Sequence, residues 1–242
     1  MTRLRLRYTK LGKIRFIGHR DLARTWERAL RRSGLAVAST EGFSPRPKVH
    51  FGLALSTGFE SWGEYLDVDL IGDAPADLPA LATGLSDLLP PGIEVQTVAV
   101  TSGGRSLQEA VVAADWRVEL AEVDPAEVSG RVAALLETTC LEITRERKGR
   151  TTTADVRPSL HSLALLGEAE REGWRSGVAL EARVGTVAPA LKLAELVERC
   201  APAAADHRCV RLHQWIEREG DGAWQEPLPL ATPLEHAGAR VS

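Results

Sequence analysis

The order in which the chain changes its hydrophobic period limits its possible folds more than any single motif does. Leu4, Leu6 and Tyr8 alternate with Arg3, Arg5 and Arg7, the period of two of a half-buried strand. Leu11-Gly12-Lys13 turns the chain, and Ile14, Phe16 and Ile17 resume as a second apolar run, so this stretch reads as a strand pair or one long bent strand. Gly18 is a weak N-cap and Asp21 an acid suited to a helix N-terminus; Leu22, Trp26, Ala29 and Leu30 then follow at helical spacing as far as Gly34. Residues 49–55 and 64–70 read as strands, 76–89 as a helix stopped by Pro90-Pro91-Gly92, and 93–100 as a last strand. This is β-α-β-β-α-β, the order of the ferredoxin-like split βαβ fold.

The rhythm then repeats. A short linking helix precedes a strand at 116–120; Asp124-Pro125 caps a helix over 126–136; strands at 140–145 and 178–184, a helix over 190–199 and a strand over 210–216 follow, with an inserted strand or hairpin around 151–158. The expected fold class is α+β, with two tandem ferredoxin-like antiparallel-sheet domains. A basic N-terminal domain spans 1–105, a second domain spans 112–219, and residues 220–242, dominated by Gly, Pro and Ala, read as a flexible tail. Ser102-Gly103-Gly104-Arg105 lacks the strand-to-helix setting of a nucleotide loop and reads as a linker.

The net charge of −3 hides a strong polarity. Residues 1–50 hold thirteen Lys or Arg against three acids, and residues 51–100 hold eight acids and no base. Such a split marks either a phosphate-binding face or two neighbouring elements that neutralise each other. The candidates for phosphate contact are Arg20, Arg24, Arg28 and Arg32, which recur every four residues and so form one ridge on the helix, and Arg46 and Lys48, which Pro45 and Pro47 hold in a stiff loop. Aromatic residues make up only 5%, with no paired aromatics of the RNA-recognition type, so backbone phosphate contact is favoured over base stacking. No apolar run reaches the length of a membrane span and no signal-peptide pattern opens the chain, so the expected location is cytoplasmic, with no membrane partner.

Catalytic signatures are sparse. Cys140, Cys200 and Cys209 are too far apart for a metal or cluster site and read as small buried thiols; no phosphate loop, H-E-x-x-H or G-x-S-x-G occurs. His19, between Gly18 and Arg20-Asp21, reads first as a helix-entry residue that hydrogen-bonds the loop backbone, with a general-base or phosphate-binding role as the alternative. His50, His161 and Trp26 read as structural. Asp155 and Arg157 alternate along one segment and share a face, where they suit a mutual salt bridge or a ligand contact.

Four strings occur in order: Arg15-Phe16-Ile17-Gly18-His19-Arg20-Asp21-Leu22-Ala23-Arg24, Gly42-Phe43-Ser44-Pro45-Arg46-Pro47-Lys48, Ala54-Leu55-Ser56-Thr57-Gly58 and Glu64-Tyr65-Leu66-Asp67. With Lys148, Asp155-Val156-Arg157 and residues 185–189, they resemble the uncharacterised bacterial radical SAM-linked protein family over residues 2–216, most specifically in the first 70. The motif residues singled out by that resemblance are Gly18, His19, Asp21, Leu22, Arg24, Gly42, Phe43, Pro45, Pro47, Lys48, Gly58, Glu64, Asp155 and Arg157. Gly18 stands where the family usually has Ser, and Ala188 where a basic residue is common. The resemblance implies a radical S-adenosylmethionine protein as partner, which would carry a [4Fe–4S] cluster and S-adenosylmethionine; this chain lacks the C-x-x-x-C-x-x-C motif, and no cofactor is expected on it.

The expected function is therefore a non-catalytic RNA-binding or substrate-presenting accessory protein in RNA modification or maturation. Two alternatives stand beside it. Tandem ferredoxin-like domains also resemble the metal-independent RAMP-type RNA endonucleases, in which case His19 is the catalytic base. A protein–protein adaptor would instead offer acidic residues 51–100 to a basic partner.

Overall fold

The computed structural model describes all residues except 1, 44, 102–103, 170–173, 175 and 231–242. Part of the linker at 102–105, Ser44 of the proline loop and the end of the expected tail therefore lie outside the described residues.

The N-terminal half runs β1 (Thr2–Lys10), α1 (His19–Arg32), β2 (Val49–Phe51), β3 (Glu60–Leu70), α2 (Leu78–Leu88) and β4 (Val95–Thr101). Leu4, Leu6 and Tyr8 of β1 are buried with Leu66, Val68 and Leu70 of β3 under Leu22, Trp26, Ala29 and Leu30 of α1. Trp26 is sealed from water and meets Tyr8 edge-on at 4.9 Å, a packing whose loss to Ala costs about 3–5 kcal/mol. Asp77 caps α2 by accepting the Ala80 N–H at 2.8 Å. Residues 12–16 are not a second strand but a 3₁₀ turn, Gly12–Phe16. Gly12 takes φ +67° there, and its N–H donates to the Glu60 carboxylate at 2.5 Å, which bends the chain out of the sheet.

The second half runs α3 (Leu107–Ala110), β5 (Val111–Ala121), α4 (Pro125–Glu137), β6 (Glu142–Arg147), β7 (Arg150–Asp155), β8 (Leu160–Glu168), β9 (Gly177–Gly185), α5 (Leu193–Cys200) and β10 (His207–Glu217), with a short β11 (Trp224–Gln225). The expected strand at 140–145 belongs to a separate two-stranded hairpin, β6–β7. The strand that joins the main sheet in this interval is β8, which the period does not announce because bulges after Leu160 and Leu165 break its alternation.

One nine-stranded sheet of order β4-β1-β3-β10-β5-β9-β8 spans the molecule, with β2 on β3 and β11 on β10. The fold is α+β and the sheet mostly antiparallel; β3 and β10 pair in parallel through Glu60 with Val210 and Ser61 with Arg211. The halves therefore do not keep separate sheets. β2 covers only residues 66–68 of β3, leaving its first residues free to pair with β10. Each half retains its own apolar core, the second built from β5, β9, α4 and α5 around Val118, Leu120, Leu180 and Leu196. Part of the stretch expected as a tail, 220–242, is docked: β11 pairs with Ile216 and Glu217, and Glu226 is held by Arg7.

Candidate nucleic-acid interface

Part of the charge polarity is an internal match. On the face of β1 opposite the helices, Arg3 donates to Asp69 at 2.6 Å, and Arg5 grips both oxygens of Asp67 at 2.8 and 2.9 Å. Arg7, 1% exposed, donates to Gln96 at 3.1 Å and to Glu226 at 2.7 Å. The Arg3 hydrogen bond holds the Asp69 carboxyl below the usual carboxylate range, with His50 adding a second contact at 3.1 Å. Glu60 and Glu64 are buried as well, so half of the acids in 51–100 are consumed inside the protein; Asp73, Asp77, Asp87 and Glu94 are exposed.

The arginines of α1 are in a different position. Arg20, Arg24, Arg28 and Arg32 are all exposed along one helix face. Arg24 meets Asp21 at 3.3 Å, with both side chains well over half exposed, and neighbouring Arg31 approaches Glu27 at 3.7 Å; exposed pairs of this kind cost little to exchange for a phosphate.

Following α1, the proline loop folds back as a finger. Thr40 N–H donates to the Arg46 carbonyl at 2.8 Å, Arg46 N–H to Thr40 Oγ1 at 3.1 Å, and Lys48 N–H to the Ala38 carbonyl at 2.7 Å. Lys48 and Ala38 are in turn tied to Asp69 of β3. Pro45 and Pro47 stiffen the returning strand, Arg46 is exposed and Lys48 half-buried. Gly42, at φ +120°, makes the tip, where Phe43 stands fully in solvent.

His19 opens α1 and touches Phe51 edge-on at 5.1 Å. With Tyr8, Lys10, Leu22 and Glu64 it lines a cavity of about 20 Å³, room for one water. The Gly18 carbonyl accepts the Asp21 and Leu22 N–H groups, and Gly58, at φ +90°, donates to the Arg15 carbonyl at 2.8 Å. These motif segments thus converge on one corner of the N-terminal half. Behind them sits a buried charge group absent from the sequence reading. Lys10 Nζ donates to the Arg15 and Ile17 carbonyls at 3.3 Å, and Glu64 meets Arg211 at 3.1 Å. Burial pushes Lys10 down and Glu64 up, Arg211 opposing the latter. A lone arginine inside the apolar run Cys209-Val210-Arg211-Leu212 was the available signal.

Asp155 and Arg157 do not join this corner, and each is occupied with backbone. Asp155 accepts the Leu141 and Arg157 N–H groups at 2.8 and 2.9 Å, contacts that lower its carboxyl pKa, the one from Arg157 most. The Arg157 guanidinium donates to the carbonyls of Thr138, Leu160 and Leu136 at 2.8, 3.0 and 3.2 Å, closing the C-terminal end of α4. His161 meets Trp224 edge-on at 5.1 Å. Cys200 and Cys209 are buried, which pushes their thiols up to about 11 and about 12, whereas Cys140 is exposed, contrary to expectation. Among the described residues no cluster of His, Cys, Asp or Glu is arranged to hold a metal, and no helix is long and apolar enough to cross a membrane.

A family profile described as "Uncharacterized protein conserved in bacteria (DUF2344)" matches residues 3–189. No curated protein matches the chain. Among solved structures, the "Crystal Structure of a Cbf5-Nop10-Gar1 Complex" is similar at 9% identity and a TM-score of 0.45, covering 87% of this chain and 48% of that one, so this chain spans about half of that relative's length. An unknown protein from Galdieria sulphuraria is similar at 12% identity and a TM-score of 0.25, covering 87% of this chain and 98% of that one. These two likenesses carry no functional argument.

Proposed function

The chain belongs to the bacterial DUF2344 family, and we propose that it is a non-catalytic RNA-binding accessory protein which grips the phosphate backbone through α1 and the proline finger. The observation that carries this reading is the sorting of the arginines. Those of β1 are spent on Asp67, Asp69 and Glu226, while Arg20, Arg24, Arg28 and Arg32 stand in solvent on one face. A ridge of exposed guanidinium groups binds phosphates without reading sequence and steers anionic partners. In this reading the two halves are fused ferredoxin-like units, and the protein serves a radical S-adenosylmethionine enzyme that brings its own [4Fe–4S] cluster; the sequence motifs support that partner, and this chain supplies grip and orientation only.

The test is the salt dependence of binding to single-stranded RNA. Neutralising about four to six phosphates gives a log-log slope of about −3 to −4. Replacing Arg24 and Arg28 with Ala lowers its magnitude by about 1.4, at roughly 0.7 per lost contact. Affinity that ignores salt, or a slope untouched in the double variant, rules the reading out.

A further inference from the structure

Between the two halves the structure holds a cleft of about 310 Å³, inside the range of roughly 300–1,000 Å³ that small-molecule sites occupy. Phe59, Trp116, Val184 and Leu191 give it an apolar wall, Arg211 forms part of its floor and Lys192 stands at its rim; no carboxylate is among its described lining residues. Arg211 is 1% exposed. Its Nη1 donates to the Leu53 carbonyl at 2.9 Å and meets Glu64 at 3.1 Å, its Nη2 donates to the Ala54 carbonyl at 2.8 Å, and its guanidinium lies 4.9 Å from the Trp116 ring centre. Among the described residues its Nε, which is closed to solvent, has no hydrogen-bond partner.

Leu191, Lys192, Leu193 and Ala194 bring the first turn of α5 to the same cleft. The acid that follows, Glu195, is neutralised by two hydrogen bonds from Arg145 at 2.6 and 2.7 Å and accepts the Lys192 N–H at 2.9 Å. The cleft therefore combines an apolar wall, in which the Phe59 and Trp116 rings meet edge-on at 5.8 Å, with a cationic rim at the start of α5, features that suit a partly apolar body carrying an anionic group.

We propose that the cleft between the halves binds a nucleotide, its base against the Phe59 and Leu191 wall and its phosphate at Lys192. The choice of a nucleotide among partly apolar anions rests on the RNA-binding reading above. The same chemistry is offered by a free nucleoside monophosphate and by one nucleotide of an RNA strand.

The test titrates the full chain calorimetrically with the four nucleoside 5′-monophosphates, the matching nucleosides and a short single-stranded RNA. The expected result is saturable binding of at least one monophosphate with a Kd below about 1 mM, and binding of its nucleoside roughly tenfold or more weaker. Ala194 is exposed on α5, so Ala194→Trp fills the cleft from its edge and abolishes monophosphate binding. Lys192→Glu, also at an exposed position, weakens it at least about tenfold and serves if the first variant does not fold. A loss of RNA affinity in the same variants identifies the strand as the source, and unchanged RNA affinity identifies a free nucleotide. No saturable monophosphate binding by the unaltered chain, equal binding of the nucleoside, or binding that survives both variants overturns the proposal. Failure of the ridge is read from the salt slope of RNA binding in the Arg24 and Arg28 double variant and failure of the cleft from the monophosphate titration, so the two read out separately.

Discussion

Arg211 of β10 and Glu64 of β3 form an ion pair of 3.1 Å across the seam where the two halves share one sheet, with 1% and 5% of their surfaces exposed. Beyond Glu64, the Arg211 guanidinium holds the carbonyls of Leu53 and Ala54, so one side chain from the second half fastens the loop that precedes β3 in the first. Gln214 adds a second tie by donating to the Gly63 carbonyl at 2.7 Å. Such a pair need not add net stability over an apolar substitute, but removing one partner leaves a buried charge uncompensated.

Arg211→Met is accordingly expected to cost about 3–5 kcal/mol at neutral pH, and Glu64→Gln a similar amount, with the double variant well short of the sum. Urea unfolding of the four proteins measures this coupling. Burial already raises the Glu64 pKa against the pull of Arg211; without Arg211 it climbs further. A carboxyl whose folded pKa is raised destabilises once pH exceeds the unfolded value, about 4.3. The Arg211→Met deficit should therefore grow as pH rises above the raised Glu64 pKa of the unaltered protein, and a deficit independent of pH would show that Glu64 does not feel Arg211.

Asp69 has the opposite sign. Its folded pKa is depressed, chiefly by the Arg3 hydrogen bond, so its contribution is complete above the unfolded value of about 3.9 and disappears as pH falls through the folded one. Asp69→Asn should cost about 1.5–3 kcal/mol at pH 7, the scale of a hydrogen bond to a charged group. Thermal unfolding of the two proteins should converge as pH falls through that lowered folded value.

Glu226 binds the chain after β11 back to the sheet, accepting from Arg7 at 2.7 Å and meeting His213 Nδ1 at 2.8 Å. Burial acts to raise its pKa, but the hydrogen bonds from His213 and Arg7 outweigh that and leave it lowered. Glu226→Ala strands the buried Arg7, and we expect a loss of about 3–5 kcal/mol together with faster amide exchange in β11 and β10. If exchange in β11 does not change, the carboxylate is not what docks this segment.

What the sequence disclosed follows from how local each signal is. Leu4, Leu6 and Tyr8 announce β1 because alternation survives wherever one face is buried, and Leu22, Trp26, Ala29 and Leu30 announce α1 by the same logic at period 3.6. The 3₁₀ turn at 12–16 was hidden because its cause, the Glu60 carboxylate, lies 48 residues away. β8 was hidden by its bulges, and the shared sheet by a parallel pairing of only two residues on each strand. At the candidate interface the exposed ridge was legible from four-residue spacing alone. The Lys10, Glu64 and Arg211 group was not, since charges on β1, β3 and β10 meet only when the halves join.

His19 faces opposite demands from catalysis and structure. As a general base it would need a phosphodiester within hydrogen-bond reach, and loss of the imidazole would slow cleavage by roughly 100-fold or more. His19 is exposed, and its ring packs edge-on against Phe51 at 5.1 Å. Packing at the start of α1 is therefore the role we expect. His19→Ala should cost about 1 kcal/mol, on the scale of a lost cap or an aromatic contact. His19→Gln should leave RNA affinity and its salt slope unchanged. Incubating the protein with labelled structured RNA in chelator decides between the two roles: specific cleavage by the unaltered chain that vanishes in His19→Gln would overturn the non-catalytic reading, whereas intact RNA in both samples, with reduced stability of His19→Ala, is the outcome we expect.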